Sequence, residues 1–234
     1  MVVLAVGAHP DDLELHCFGT LAKFVKNGHT VYTSTIANGN KGHYQIKPRE
    51  LAETRLKETS DAAKLIGATY IGLDVADMMV DSHDRDQQKK AVELIRKVKP
   101  DLIITHGSGD YMSDHTETAG LIFYAAFASS LPSYPAELPF HDDVVPVYNM
   151  ENASGIGFVP DEYVDISEEF ELKLDAIRCH KSQMEWLSEH DGFNMLDSAR
   201  IFAEFRGMQC SVKYAEAFAL FKKWPRLRSQ RLLP

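Results

Sequence analysis

The stretch from Val2 to Asp12 constrains the fold of this chain more than any other. Residues Val2 to Gly7 form a short apolar run, and the run is followed by His9-Pro10-Asp11-Asp12. A run of this length and composition predicts a fully buried strand, and in an open α/β sheet the ligand site lies just beyond the carboxyl ends of such strands. Pro10 restricts its own backbone and that of His9, which favours a fixed turn. We therefore expect this turn to lie at a functional edge of the sheet.

The turn combines a histidine with two carboxylates. In a dry pocket these groups would repel one another or titrate unless a cation lay among them, so a divalent metal is the economical explanation. A plainer interpretation is that Asp11 or Asp12 caps the helix that follows. Because capping explains neither His9 nor the second carboxylate, we favour the metal.

The residues that follow predict alternating helices and strands. Helical periodicity runs from Leu13 to Asn27, and a β-branched stretch from Val31 to Ile36 completes a strand–helix–strand unit. Further helices are predicted at 48–65, 87–98, 116–128 and 167–187, with a short one at 214–221, and further strands at 68–73, 101–106, 144–150 and 163–166. The predicted fold class is therefore α/β, with a Rossmann-like, mostly parallel sheet flanked by helices.

The length of 234 residues suits one domain. We predict a single domain over 1–234. Within it, Pro132, Pro135 and Pro139 preclude a regular helix after residue 128, so we expect 129–166 to form a peripheral flap or extension.

Composition argues against several classes of partner. The chain has 25 Lys and Arg against 34 Asp and Glu, a net charge of −9, which disfavours a nucleic acid or an anionic membrane. Its three scattered cysteines suggest neither a disulfide framework nor a zinc finger, and no apolar segment is long enough to span a bilayer. We expect a cytoplasmic protein with no nucleic-acid or membrane partner, and a homo-oligomer remains compatible with the sequence.

A second polar cluster follows the strand predicted at 101–106. Residues His106 to His115 form a loop at the carboxyl end of that strand, on the same edge of the sheet as His9. His9, Asp12 and His115 together supply two histidines and a carboxylate, a ligand set that suits catalytic zinc and leaves a position open for water. We predict one zinc ion per chain on these three residues.

Two aspartates near these ligands are assigned supporting roles. Asp11 is not needed as a ligand and can accept a proton from the metal-bound water as general base. Asp114 adjoins His115 and is placed to orient a histidine or to support the site from outside the ligand set. The remaining histidines, His180 among them, are interpreted as solvated or as distant from the site, and the aromatic residues near the C-terminus as packing.

The segment Ala8-His9-Pro10-Asp11-Asp12-Leu13-Glu14, with Ser113-Asp114-His115 downstream, resembles the PIG-L (LmbE-like) family of zinc-dependent N-deacetylases. Later segments agree in order, including His180-Lys181-Ser182-Gln183 and the stretch from Tyr214 to Phe218, so the resemblance covers nearly the whole chain. The double motif is fairly specific, whereas each later segment is weak by itself.

The resemblance implies a Rossmann-like enzyme that removes an acyl group, usually acetyl, from the amide nitrogen of an amino sugar or a related small molecule. It implies that His9, Asp12 and His115 bind the metal and that Asp11 is the base. By resemblance alone, Arg55 is assigned a contact with the substrate.

One position departs from the family pattern. Where the family commonly has His-Pro-Asp-His, this chain has Met112-Ser113-Asp114-His115. Met112 thus replaces a histidine that is often assigned to stabilising the oxyanion or protonating the leaving amine, and methionine can do neither. Tyr111, His106 or Arg55 could take over this role, and the sequence does not choose among them.

Two other functions compete with an amide hydrolase. A carboxylate-rich edge also suits Mg²⁺ or Mn²⁺ in a phosphoester hydrolase, but the two histidines favour zinc and no phosphate cradle accompanies them. A non-catalytic metal-binding module of Rossmann-like fold would share the architecture. We predict the hydrolase, acting on an N-acylated small molecule that the sequence does not identify.

Overall fold

The chain forms one sheet flanked by helices, and the computed structural model describes every residue from Met1 to Pro234. The strands are β1 (Val2–Gly7), β2 (Thr30–Thr35), β3 (Thr69–Tyr70), β4 (Leu102–Thr105), β5 (Val147–Met150), β6 (Glu162–Asp165) and β7 (Ala215–Leu220). The helices are α1 (Asp12–His16), α2 (Phe18–Lys26), α3 (Pro48–Leu65), α4 (Arg85–Val98), α5 (Ser113–Ala128), α6 (Phe170–Cys179), α7 (Lys181–His190) and α8 (Met195–Cys210). No helix is both long and apolar enough to cross a membrane.

The strand order of the sheet is β3-β2-β1-β4-β5-β7-β6. Neighbours from β3 to β5 are parallel, whereas β7 runs antiparallel to both β5 and β6. The last strand in the chain therefore lies between two strands that precede it. Because β1 is paired with β4, the loops that follow the carboxyl ends of these two strands are neighbours.

Strand β1 contributes to hydrophobic cores on both faces of the sheet. Val3 and Ala5 belong to one buried cluster, and Leu4 and Val6 belong to the other, as the alternation of side chains along a strand requires. The first cluster includes apolar residues of α1, α2, α3, α6 and α8, and the second includes those of α4 and α5. Helices thus cover both faces, and the predicted α/β class with a mostly parallel sheet is confirmed.

Two predicted helices are each broken into two. The helix predicted at 13–27 is α1 followed by α2, and Cys17 between them has a non-helical backbone. The helix predicted at 167–187 is α6 followed by α7, with the break at His180. Apolar periodicity continues across both breaks because the two halves pack against the same core, so the pattern alone does not reveal them.

The segment predicted as a short helix at 214–221 is instead strand β7. It pairs with both β5 and β6, and such tertiary pairing overrides the weak local preference of a short segment. The strand predicted at 68–73 is reduced to the two residues of β3. Helix α8 was not predicted at all.

The segment predicted to be a peripheral flap or extension, 129–166, is divided between a loop and the sheet. Residues 129–146 contain no helix or strand, in keeping with their prolines. Strand β5 pairs with β4 inside the sheet, and β6 forms an edge of the sheet. This pairing joins residues that are distant in sequence, which local patterns do not encode.

Candidate metal centre

The turn after β1 places His9 and Asp12 at the carboxyl edge of the sheet. A side chain at Gly7 would put its Cβ only 3.0 Å from the Cβ of Asp12, so the close approach of the turn favours glycine there. Asp11 has φ of 111°, a region that non-glycine residues rarely occupy, and its side chain makes no capping bond to α1. The amide of His9 donates a 2.7 Å hydrogen bond to Asp12 Oδ2. The turn is thus held by this internal bond rather than by a cap from Asp11.

The loop after β4 brings His115 to the same place. His115 lies in the first turn of α5, and its Nε2 is 3.4 Å from Asp12 Oδ1. The candidate ligand atoms of His9, Asp12 and His115 all lie within 4.8 Å of one another, and all three residues are buried. The structure therefore brings together the three residues that the sequence predicts as metal ligands.

These three donors fit a zinc ion. Tetrahedral zinc with bonds of about 2.0–2.1 Å holds its ligand atoms roughly 3.4 Å apart, and the oxygen of Asp12 and the nitrogen of His115 have this separation. His9 Nε2 lies 2.9 Å from Asp114 Oδ2, which leaves Nδ1 of His9 free to bind a metal. Burial opposes a charge on Asp12, but His115 and His106 outweigh it and hold the pKa of Asp12 well below its usual range.

The surroundings of His115 favour positive charge. Burial alone would lower the pKa of His115, yet the carboxylates of Asp12 and Asp110 outweigh burial and raise this pKa to about 9. The negative charges of Asp12 and Asp110 therefore stabilise a positive charge beside His115.

Asp114 and Asp110 hold the two candidate histidine ligands. Asp114 Oδ2 accepts a 2.7 Å hydrogen bond from the Met78 amide in addition to its contact with His9. Asp110 Oδ2 lies 3.1 Å from Nδ1 of His115. Carboxylates at the far nitrogen of a metal-binding histidine fix its orientation and tautomer. Sequence reasoning singled out Asp114 but missed Asp110, whose only signal is its place in the same loop.

Asp11 and Arg55 lie beside the candidate ligands. Arg55, on α3, donates to the carbonyls of Pro10 at 2.5 Å and Gly39 at 3.3 Å, and its Nη2 is 3.4 Å from Asp11 Oδ1. Burial raises the pKa of Asp11 to about 6, although the charge of Arg55 opposes the rise. A carboxyl group with a pKa near neutrality can both accept and release a proton, as a general base must.

The three candidates for the acid role occupy different positions. His106 is buried, with Nε2 3.0 Å from both the Ala8 amide and Asp12 Oδ2, and burial lowers its pKa. The guanidinium of Arg55 is buried against the metal turn. Tyr111 is 75% exposed, with its ring centroid 5.9 Å from that of His115. Only Tyr111 therefore combines contact with a candidate ligand and access to solvent.

His180 is a residue that sequence reasoning misjudged. It is fully buried rather than solvated, and its Nε2 lies 3.2 Å from Glu14 Oε2 on α1. Its polar sequence neighbours suggested solvent, whereas the apolar residues Ile177 and Met184 on either side were the signal for burial. His180 thus joins the start of α7 to the helix that carries Asp12.

Comparison with models of protein families assigns the chain to a family. The model of the PIG-L family, described as GlcNAc-PI de-N-acetylase, matches residues 4–126, just over half of the chain. The chain belongs to the PIG-L family. The predicted membership is thereby confirmed, and the matched range contains the three candidate metal ligands of this PIG-L protein together with Asp11 and Arg55.

Proteins of similar sequence align with most of this PIG-L protein. Diacetylchitobiose deacetylase of Thermococcus kodakarensis is 27% identical over 225 residues, covering 92% of this chain and 80% of the relative. The solved structure of N,N'-diacetylchitobiose deacetylase from Pyrococcus horikoshii has a TM-score of 0.81 at 27% identity, covering 94% of this chain and 83% of that one. The homologues are named deacetylases, which hydrolyse amide C–N bonds, and the prediction of an amide hydrolase is confirmed.

A further solved structure shares the fold at lower identity. The 4-carboxy-2-hydroxymuconate hydratase of Pseudomonas putida KT2440 superposes with a TM-score of 0.83 at 22% identity, covering 99% of each chain. This likeness concerns the fold alone.

Proposed function

We propose that this PIG-L protein is a zinc-dependent N-deacetylase that releases acetate from an N-acetylated amino sugar. The observation that carries the proposal is the buried set of His9, Asp12 and His115, with Asp11 adjacent to it in a strained turn. Relatives named for N-acetylated sugars support the substrate class.

Residues of the chain account for the proton transfers. Zinc held by the three ligands would supply a Lewis acid that lowers the pKa of water towards neutrality. Asp11 takes the proton from the water that attacks the amide carbon. Arg55 holds the turn through the Pro10 carbonyl, and its positive charge favours the ionised form of Asp11 that accepts this proton.

Tyr111 is our candidate for the role that Met112 cannot fill. Amide hydrolysis requires a hydrogen-bond donor to the carbonyl oxygen and a proton for the leaving nitrogen. The phenol of Tyr111 can donate, and its ring lies beside His115 at the exposed side of the centre. His106, in contrast, lies behind Asp12 and away from solvent.

Metal analysis tests the proposed ligands. We expect purified protein to contain close to one zinc per chain, and His9→Ala and His115→Ala to lose it, because each removes one of three donors. His29→Ala is the matched control, since His29 precedes β2 at the opposite end of the sheet. Full zinc occupancy in both site variants would show that the ligand set is wrong.

Acetate release tests the activity and the base. We expect zinc-loaded protein to release acetate from N-acetylated amino sugars, and Asp11→Asn to lower kcat by ~10²–10⁴-fold while zinc is retained. Asparagine keeps the size of the side chain but cannot accept the proton. Asp61→Asn, at an exposed position on α3, is the control. An active Asp11→Asn enzyme would remove Asp11 from the mechanism, and zinc-loaded wild type without acetate release would refute the activity.

The phosphoester alternative gains no support from the Gly-rich loop after β2. The amides of Gly39 and Lys41, which could have bound a phosphate, instead donate to the carboxylate of Asp77 at 2.7 Å and 3.0 Å. A loop whose amides are bound to a carboxylate is a poor phosphate cradle.

Met112 favours a second candidate reaction at the same centre. Addition of water to an activated carbon–carbon double bond has no leaving nitrogen, so it does not need the proton that methionine cannot deliver to one. A hydratase shares this fold. Incubation of the zinc-loaded protein with 4-carboxy-2-hydroxymuconate, followed by ultraviolet absorbance, would detect loss of the conjugated system.

A further inference from the structure

Three aromatic side chains form a cluster that the proposed reaction does not use. The rings of Tyr44 and Trp186 meet edge to face, with centroids 4.5 Å apart, and Trp186 stacks on His190 at 4.4 Å. Tyr44 is 62% exposed, and the side chain of His190 is 47% exposed. We call Tyr44, Trp186 and His190 the aromatic platform.

The loop that carries Tyr44 is tied to the metal turn. It follows β2, whose carboxyl end lies on the same edge of the sheet as that of β1. Arg55 bonds to Gly39 of this loop and to Pro10 of the metal turn. The carboxylate of Asp77 accepts hydrogen bonds from the amides of Gly39 and Lys41 in this loop. These polar contacts already fix the loop, so its conformation does not depend on packing by Tyr44.

Helix α7, which carries the other two rings, begins beside the candidate metal centre. His180 precedes it and lies 3.2 Å from Glu14. The amide and hydroxyl of Ser182 donate to Glu58 on α3 at 2.9 Å and 2.6 Å. The far end of the helix lies beside the loop after β2, because the ring centroid of His190 is 5.9 Å from that of Tyr44.

The two segments meet at the platform itself. A Cβ at Gly42 would lie 3.3 Å from Trp186 Nε1 and 3.6 Å from Gln183 Oε1. This Gln183 oxygen is buried and makes no hydrogen bond within the protein. The loop after β2 and α7 are therefore in contact at the platform, where Tyr44 and His190 are exposed and Trp186 is partly buried.

We infer that the aromatic platform binds a sugar ring next to the one that is deacetylated, so that the preferred substrate is a glycan of at least two rings. This inference rests on the proposed function. Exposed apolar clusters mark binding surfaces, and rigid aromatic faces offer large contact areas at low entropic cost. The apolar face of a pyranose ring matches such a surface.

Fluorescence provides a test that does not depend on turnover. The chain has two tryptophans, so Trp224→Phe leaves Trp186 as the sole reporter. We expect chitobiose, the two-ring product, to change the Trp186 emission of zinc-loaded Trp224→Phe protein saturably, and glucosamine to bind about tenfold more weakly. Adding Tyr44→Ala should weaken chitobiose binding by a similar factor.

A kinetic comparison completes the experiment. The ratio of kcat/KM for diacetylchitobiose to that for N-acetylglucosamine should fall about tenfold in Tyr44→Ala and Trp186→Leu, chiefly through KM. Trp224→Leu, at an 87% exposed position in the C-terminal tail, is the matched control and should keep the wild-type ratio.

The outcomes separate this inference from the proposed function. Saturable chitobiose binding at Trp186 without acetate release from any sugar would refute the deacetylase and keep the platform. Acetate release with an unchanged substrate ratio in both platform variants, and no response of Trp186 to chitobiose, would overturn the platform and assign the cluster to packing.

Discussion

Met112 lies at the point where the loop from β4 becomes α5, directly before the turn that carries Asp114 and His115. Its amide donates a 3.2 Å hydrogen bond to Asp110, so the backbone here supports the carboxylate beside His115. The side chain cannot donate a hydrogen bond to a developing oxyanion. A donor must therefore come from another residue, and Tyr111 is adjacent in the chain.

Replacement of Tyr111 tests this assignment. We expect Tyr111→Phe to lower kcat by ~10²–10³-fold, the usual effect of losing one oxyanion donor, with zinc content unchanged. Met112→His in the Tyr111→Phe background should recover part of the loss, because it returns a donor to the position where the family commonly has histidine. Steady-state acetate release measures both. A Tyr111→Phe enzyme with wild-type kcat would instead leave His106 or Arg55 as the donor.

At the scale of elements, a buried ion pair joins α6 and β7 to the start of α2. Lys173 Nζ lies 2.5 Å from Glu216 Oε1, and both side chains are almost fully buried. Glu216 also accepts hydrogen bonds from the amides of Gly19 at 3.0 Å and Thr20 at 2.7 Å. A side chain of the last strand thus satisfies amides at the start of α2, which no residue of α2 itself could do.

Removal of the lysine should be costly. We expect Lys173→Met to lower the free energy of unfolding by about 3–5 kcal/mol, because it leaves the carboxylate of Glu216 buried without its counter-charge. Urea unfolding measures the effect. The control is Arg49→Met, which breaks an exposed ion pair with Glu53 and should cost less than about 1 kcal/mol. Equal effects of the two variants would contradict the role assigned to burial.

Elements with local signals were predictable from the sequence. Helix α3 has the predicted bounds because Pro48 is in its first turn and Gly67 follows its end. Strand β7 and the break at His180 were missed because they depend on contacts with segments far away in the chain. Local propensity is a weak guide wherever such contacts decide the structure.

The candidate centre was predictable because its residues follow strands that the sequence pattern also predicts. His9, Asp12 and His115 follow two parallel strands, and parallel strands place their carboxyl ends on one edge. The contacts of Asp110 with His115 and of His180 with Glu14 were not predictable, since they are known only once α5 and α7 are placed.

At the scale of the whole molecule, His180 links stability to pH. The groups that face it are Glu14 of α1, Asp11 of the metal turn and Arg55 of α3. Burial lowers the pKa of His180 and Arg55 also lowers it, but the two carboxylates outweigh both, so the folded-state pKa is raised above the ordinary value of 6.5. The folded protein therefore binds this proton more tightly than the unfolded chain does.

The contribution of His180 to the free energy of unfolding falls as pH rises. The stabilisation from His180 is fully present below a pH of about 6.5, the unfolded pKa, and is lost as pH rises through the higher folded pKa. We expect the difference in unfolding free energy between wild type and His180→Gln to shrink over that interval in urea titrations at constant salt. His29→Gln is the control. A difference that is constant with pH would show that His180 does not titrate as stated.

Two of the three platform residues come from a different part of the chain than the metal-centre residues. The family match at 4–126 includes every residue proposed to bind zinc or move a proton, whereas Trp186 and His190 lie outside it. Substrate preference can therefore change through α7 without altering the metal ligands.

The location of β7 also bears on how the protein is made. Ribosomes deliver the chain from its N-terminus, so the parallel strands and both ligand loops emerge before Ala215–Leu220 exists. Until then β5 has an open edge, which invites pairing with other chains, and the amides of Gly19 and Thr20 lack Glu216. Nascent molecules thus complete the support of α2 only after β7 has been made, and a ribosome that stalls before β7 releases a chain prone to aggregate.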